Sequence, residues 1–108
     1  MSSNTTVPVT ITPEATAYVA ELGMQREFEE MLAHALQFFP DLRSIQVELE
    51  PAYDGDMPCV VFVPILNQRN AENQQLDLDW IGWKNNTFPM QIAMNFSMLA
   101  GYEESHAR

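Results

Sequence analysis

Between Ser44 and Glu50, apolar and polar residues alternate without a fault. Ile45, Val47 and Leu49 fall on one side, and Gln46, Glu48 and Glu50 on the other. An extended strand turns that spacing into one dry and one wet surface, because its successive side chains point to opposite faces. A few residues later, Cys59 to Leu66 is apolar throughout and rich in β-branched side chains. That composition suits a strand lying deeper in the same sheet. Pro51 and the turn-forming pair Asp54-Gly55 lie between the two runs, so they read as a hairpin. Pro64 marks where the second strand's ladder should weaken, since proline has no amide proton to donate. The chain must build a sheet, and the remaining elements have to be arranged around it.

Val7, Val9 and Ile11 alternate as a short strand, and Pro8 places it at a sheet edge. Thr12-Pro13-Glu14 has the character of a helix start, with a capping hydroxyl, a proline in the first turn and an acid near the positive end of the helix dipole. The helical pattern that follows contains two apolar stripes. Ala15, Tyr18, Val19 and Leu22 form the first, and Met24, Phe28, Met31, Leu32, Ala35, Leu36 and Phe39 the second. At about 100° per residue the stripes are out of phase by roughly a third of a turn, so one straight helix could not bury both. Gly23 stands at the change, where a left-handed C-cap is easiest. Pro40 stops the second helix.

Leu76, Trp80 and Trp83 predict a further helix over 76–83, halted by Asn85-Asn86 and Pro89. Met90, Ile92, Met94, Phe96 and Met98 alternate with other residues and predict a final strand over 90–98. The expected architecture is a single α+β domain over 1–108, in the order β-α-β-β-α-β with the first helix broken at Gly23. Its sheet is expected to be mainly antiparallel and covered by helices on one face.

Fifteen acidic residues against five basic ones give the 108-residue chain a net charge of −10. That sign repels nucleic-acid phosphates and anionic lipid, and Arg26, Arg43, Arg69, Lys84 and Arg108 are too dispersed to form a basic patch. The charge could serve solubility alone, or it could dock and orient a basic protein partner. Cys59 is the only cysteine, which fits a reducing cytoplasm. The first ten residues carry no basic residue and no long apolar segment, unlike a secretory signal. Cys59 to Leu66, the longest apolar run, is far short of the ~20 residues that span a bilayer.

Residues with chemical potential are few. His34 follows Glu27 and Glu30 by two turns and one turn of helix, a spacing that suits either a divalent metal or an exposed acid–imidazole pair. Asp54-Gly55-Asp56 opens like a calcium loop but lacks its distal ligands, and a hairpin turn explains it fully. Cys59 sits among apolar neighbours rather than in the electropositive setting a reactive thiol needs, and His106 lies in the polar tail. The four glycines are far apart, so no phosphate loop can form, and hydrolase and zinc-protease motifs are absent. Asp77, Asp79, Trp80 and Trp83 mix charge with aromatic surface and form the candidate binding face. Two tryptophans in so small a domain are normally core, covering the sheet, and one left partly exposed beside acids would anchor a basic partner. No cofactor is expected.

The segments ITPEATAYVAELGM and LRSIQVELEPAYD, with a Trp-x-x-Trp helix followed by Phe-Pro, resemble a family of small acidic bacterial proteins of uncharacterised role. Members are often encoded beside a second short gene. The resemblance implies an antitoxin-like or accessory cytoplasmic subunit and transfers no functional residues. Together these features point to a module that masks a basic protein, with homodimerisation open. A small metal-dependent enzyme or an apolar-ligand-binding domain is the alternative.

Overall fold

Thr12 begins the first helix as its residues suggest: its hydroxyl accepts the Ala15 amide at 3.2 Å, with Pro13 in the first turn. The computed structural model describes residues 7–40, 42–51 and 57–103. Strand β1 (Val9–Ile11) leads into α1 (Pro13–Leu22) and α2 (Gln25–Phe38), then β2 (Leu42–Glu50) and β3 (Cys59–Leu66). Helices α3 (Ala71–Thr87) and α4 (Met90–Ala93) follow, and β4 (Phe96–Met98) and β5 (Gly101–Tyr102) complete the sheet.

The break at Gly23 is present. Its φ of 70° is left-handed, and its amide and that of Met24 return to the carbonyls of Ala20 and Val19. This closes α1 and lets α2 start with a new phase.

The sheet is mixed, not mainly antiparallel. Its order is β1-β2-β3-β4, with β5 also on β3. Only β2 and β3 pair antiparallel, while β1–β2, β3–β4 and β3–β5 are parallel. The helix pairs α1–α2 and α3–α4 act as crossovers that return the chain in its original direction, which a tight turn cannot do.

The order also departs from β-α-β-β-α-β. The expected strand over 90–98 is a turn of helix followed by a three-residue strand. Pro89 starts that turn by accepting the amides of Ile92 and Ala93. The alternation was misleading because Met90 and Met94 are 78% and 60% exposed, whereas Ala93, from the other set of the alternation, is the residue buried there.

Two local irregularities keep the sheet's faces consistent. Leu42 pairs with Leu66 and Ser44 with Ile65, which leaves Arg43 as an extra residue in a bulge. The bulge lets both Leu42 and Ile45 face the core. Pro64 falls where β4 has ended and β5 has not begun. Val60 donates to Asn95 on that side, so the amide that Pro64 lacks would have pointed into the gap.

Phe62 is the centre of the core. Phe28 of α2 stacks on it at 5.5 Å, and Trp80 of α3 tilts against it at 5.3 Å, so both helices share one face of the sheet. Ala15 and Val19 of α1 and Ala93 of α4 belong to the same cluster as Ile45, Val47 and Val60. Each fully buried aliphatic or phenylalanine side chain here contributes about 1.5–3 kcal/mol.

Candidate functional site

The pairing of β2 with β3 sets Ser44, Gln46, Glu48 and Glu50 directly opposite Ile65, Val63, Val61 and Cys59. Opposed residues share a face, so an apolar row runs beside a polar row that becomes acidic toward Glu50. The row lies on the far side of the sheet from the helices. The core cluster takes Val60, Phe62 and Leu66 from β3 and none of Cys59, Val61, Val63 or Ile65. All four helices place their buried apolar residues in that cluster.

On the other flank of β3 the neighbours are small. Ser97 of β4 is aligned with Val61, and Gly101 of β5 with Ile65. A Cβ on Gly101 would come within 2.9 Å of the Ile65 Cδ1 atom, so the glycine lets β5 approach the row closely. The result is a shallow trough between a carboxylate bank and a low bank. Its Glu50 end opens into a groove of about 410 Å³ lined by Met57, Cys59, Val61, Ser97 and Leu99. Val61 is only 8% exposed and forms the floor, whereas Leu99 and Met57 are 67% and 58% exposed at the rim.

The electrostatics of this end favour a visiting cation. Glu48 and Glu50 are exposed. The nearest base in β2, Arg43, lies at the opposite end of the strand and is occupied, pairing with Glu103 at 3.4 Å and donating to Asn67. Burial raises the pKa of the Cys59 thiol, with Lys84 opposing and Glu50 adding to the shift. The thiol stays protonated, which suits a wall of the groove and not a nucleophile.

The residues singled out in sequence are placed differently from one another. His34 does not join Glu27 and Glu30 in a solvated face. Its ring lies on Trp83 at 3.7 Å, with Phe38 at 5.3 Å. Burial lowers its pKa. Glu30 is exposed and Glu27 half-buried, and among the described residues no group of three or more His, Cys, Asp or Glu could hold a metal ion. Asp54-Gly55-Asp56 and His106 lie outside the described residues.

Asp77, Asp79, Trp80 and Trp83 do not form one surface. Trp80 is fully buried against Phe62, so no partner can reach it. Trp83 is half-buried between His34 and Phe88. Asp77 turns inward and accepts the Ala100 amide at 3.2 Å, and burial raises its pKa. Asp79 alone faces outward, bonded to Gln75 at 3.0 Å. Helical rotation of about 100° per residue separates these neighbours in sequence.

Comparison with protein-family models, curated proteins and solved structures finds no match for the chain. The site therefore rests on its own geometry. No described helix is long and apolar enough to cross a membrane.

Lys84 has a role that the sequence pattern concealed. It is 6% exposed, and its ammonium donates to the carbonyls of Ala93 at 3.0 Å and Phe96 at 2.5 Å. Burial lowers its pKa, partly opposed by Cys59. On either side of β4, the Asn95 carbonyl and the Leu99 amide bond to β3, so the alternation turns the Phe96 carbonyl away from β3. Lys84 therefore closes the outer edge of β4, a position that would otherwise invite another strand. One signal was available: Lys84 follows Trp80 by four residues, on the stripe that α3 buries.

Proposed function

We propose that the chain is a protein-binding module, an accessory or antitoxin-like regulatory subunit of the cytoplasm, that masks a basic partner on the face of its sheet opposite the described helices. The observation that carries this reading is the apolar row of β3 alongside Glu48 and Glu50, on the face opposite the helices. An apolar centre with a charged rim is the usual anatomy of a specific interface. Its carboxylates orient a cationic partner and raise the association rate, while the buried apolar contacts supply the affinity. The net charge of −10 extends the attraction beyond the contact itself.

A small apolar ligand fits less well. Ligand sites enclose about 70–90% of their guest, whereas this groove is a trough with Leu99 and Met57 exposed at its rim. Protein side chains, already attached to a larger body, tolerate such half-burial.

The test is size-exclusion chromatography of the chain with the product of the adjacent gene. Co-elution that weakens as salt is raised supports the proposal. Separate elution even at low salt opposes it.

A further inference from the structure

We infer that the open face receives a basic amphipathic helix of about four turns, with its apolar side in the trough and its lysines or arginines against Glu48 and Glu50. This inference rests on the partner reading above and names the chemistry of that partner. Three features of the sheet select a helix.

The first is the state of the edges. Lys84 already occupies the outward carbonyl of Phe96 on β4, and the opposite edge, β1, is only three residues long. Neither offers a good template for an added strand.

The second is the state of the face. Main-chain groups within a sheet are bonded sideways to neighbouring strands, so a segment lying across the face receives no backbone hydrogen bonds from it. Such a segment must satisfy its own amides and carbonyls as they leave water, and an α-helix does that internally.

The third is length. From Cys59 to Ile65 the row advances six residues, about 20 Å at roughly 3.3 Å per residue. A helix rising about 1.5 Å per residue covers that distance in roughly 13 residues. Leu, Ile or Met side chains spaced three and four apart would meet the row, and the largest of them would enter the groove between Leu99 and Met57.

Charge decides against a second copy as the occupant. Two such faces brought together would oppose Glu48 and Glu50 with carboxylates of the same sign. No helix among the described residues has the required basic side either. In α2, Arg26 is accompanied by Glu27, Glu29 and Glu30, and the one base of α3 is the buried Lys84.

The probe is a synthetic helical peptide of about 14 residues, with leucines on one side and lysines on the other. It is titrated into the full chain by calorimetry. One control has the same composition rearranged so that the leucines encircle the helix, and a second has glutamate in place of lysine. The receptor variants are Glu48→Lys/Glu50→Lys and Leu99→Asp, all at exposed positions, with circular dichroism confirming that they remain folded. The amphipathic peptide is expected to bind the wild type, and each control peptide and each variant to weaken binding by about tenfold or more.

Equal binding of the rearranged peptide would reduce the effect to bulk charge and overturn the inference. So would unchanged affinity in both variants, or a wild-type dimer that Leu99→Asp dissociates. If the chain co-elutes with its basic partner and both variants still do, the partner reading stands and this docking mode fails. If no partner co-elutes while the peptide binds as expected, the face has the stated chemistry and the biological reading fails.

Discussion

The imidazole of His34 lies flat on the indole of Trp83, with ring centroids 3.7 Å apart and planes within 2°. This stack joins α2 to α3 above a core that both helices share through Phe62. It explains why His34 faces aromatic rings rather than its acidic neighbours in sequence. The position is occupied by packing between helices.

Stability should therefore depend on pH through His34. Burial holds its folded pKa below the ordinary value of 6.5. As pH falls below 6.5, the unfolded chain takes up a proton that the folded chain resists, so stability falls until the folded pKa has been passed. Asp77 acts in the opposite sense, because burial raises its carboxyl above the ordinary 3.8. Comparison with His34→Phe, which keeps a flat ring in place, isolates the histidine. Urea unfolding at a series of pH values should show the wild type losing stability relative to the variant on acidification through 6.5. Parallel curves would remove the proposed cause.

Lys84→Met keeps the aliphatic stem and removes the ammonium. The carbonyls of Ala93 and Phe96 are then left inside without their donor. Relief from burying a charge offsets part of that cost, and a net loss of about 1–3 kcal/mol is expected in chemical denaturation. Because β4 is held at that edge, hydrogen exchange of the Leu99 amide, which bonds to Phe62, should accelerate. An unchanged exchange rate would mean that Lys84 does not secure β4.

Gly23→Ala tests the helix break. A Cβ there meets no atom within 4 Å, so the cost comes from the left-handed backbone at φ 70°. About 1 kcal/mol of destabilisation is expected, read as a shift in the urea midpoint with an unchanged slope. A loss several times larger would indicate that the junction of α1 and α2 is held by more than its backbone conformation.

Much of this architecture is legible in local pattern. The phase jump at Gly23 lies within one helical stretch, and the capping hydroxyl of Thr12 sits three residues from the amide it receives. The alternation at Ile45, Val47 and Leu49 correctly separates a core side from an outer side. Alternation does not record the direction of a neighbouring strand, however, so the parallel pairing of β1 with β2 was not visible.

The candidate docking face was harder to see for a related reason. An apolar run such as Cys59–Leu66 suggests burial on both sides. Which side the helices leave open depends on where α1, α2 and α3 settle. Trp80 shows the converse, since its place in the core makes it unavailable to the surface that its acidic neighbours suggested.

The most direct test of the docking face is a titration of ¹⁵N-labelled protein with the amphipathic leucine–lysine peptide, followed by amide chemical shifts. Binding in the trough requires the perturbed amides to cluster at Gln46, Glu48 and Glu50, at Val61, Val63 and Ile65, and at Ser97 and Leu99. Shifts confined to the acidic outer surfaces of α1 and α2, or no saturable shifts at all, would contradict it.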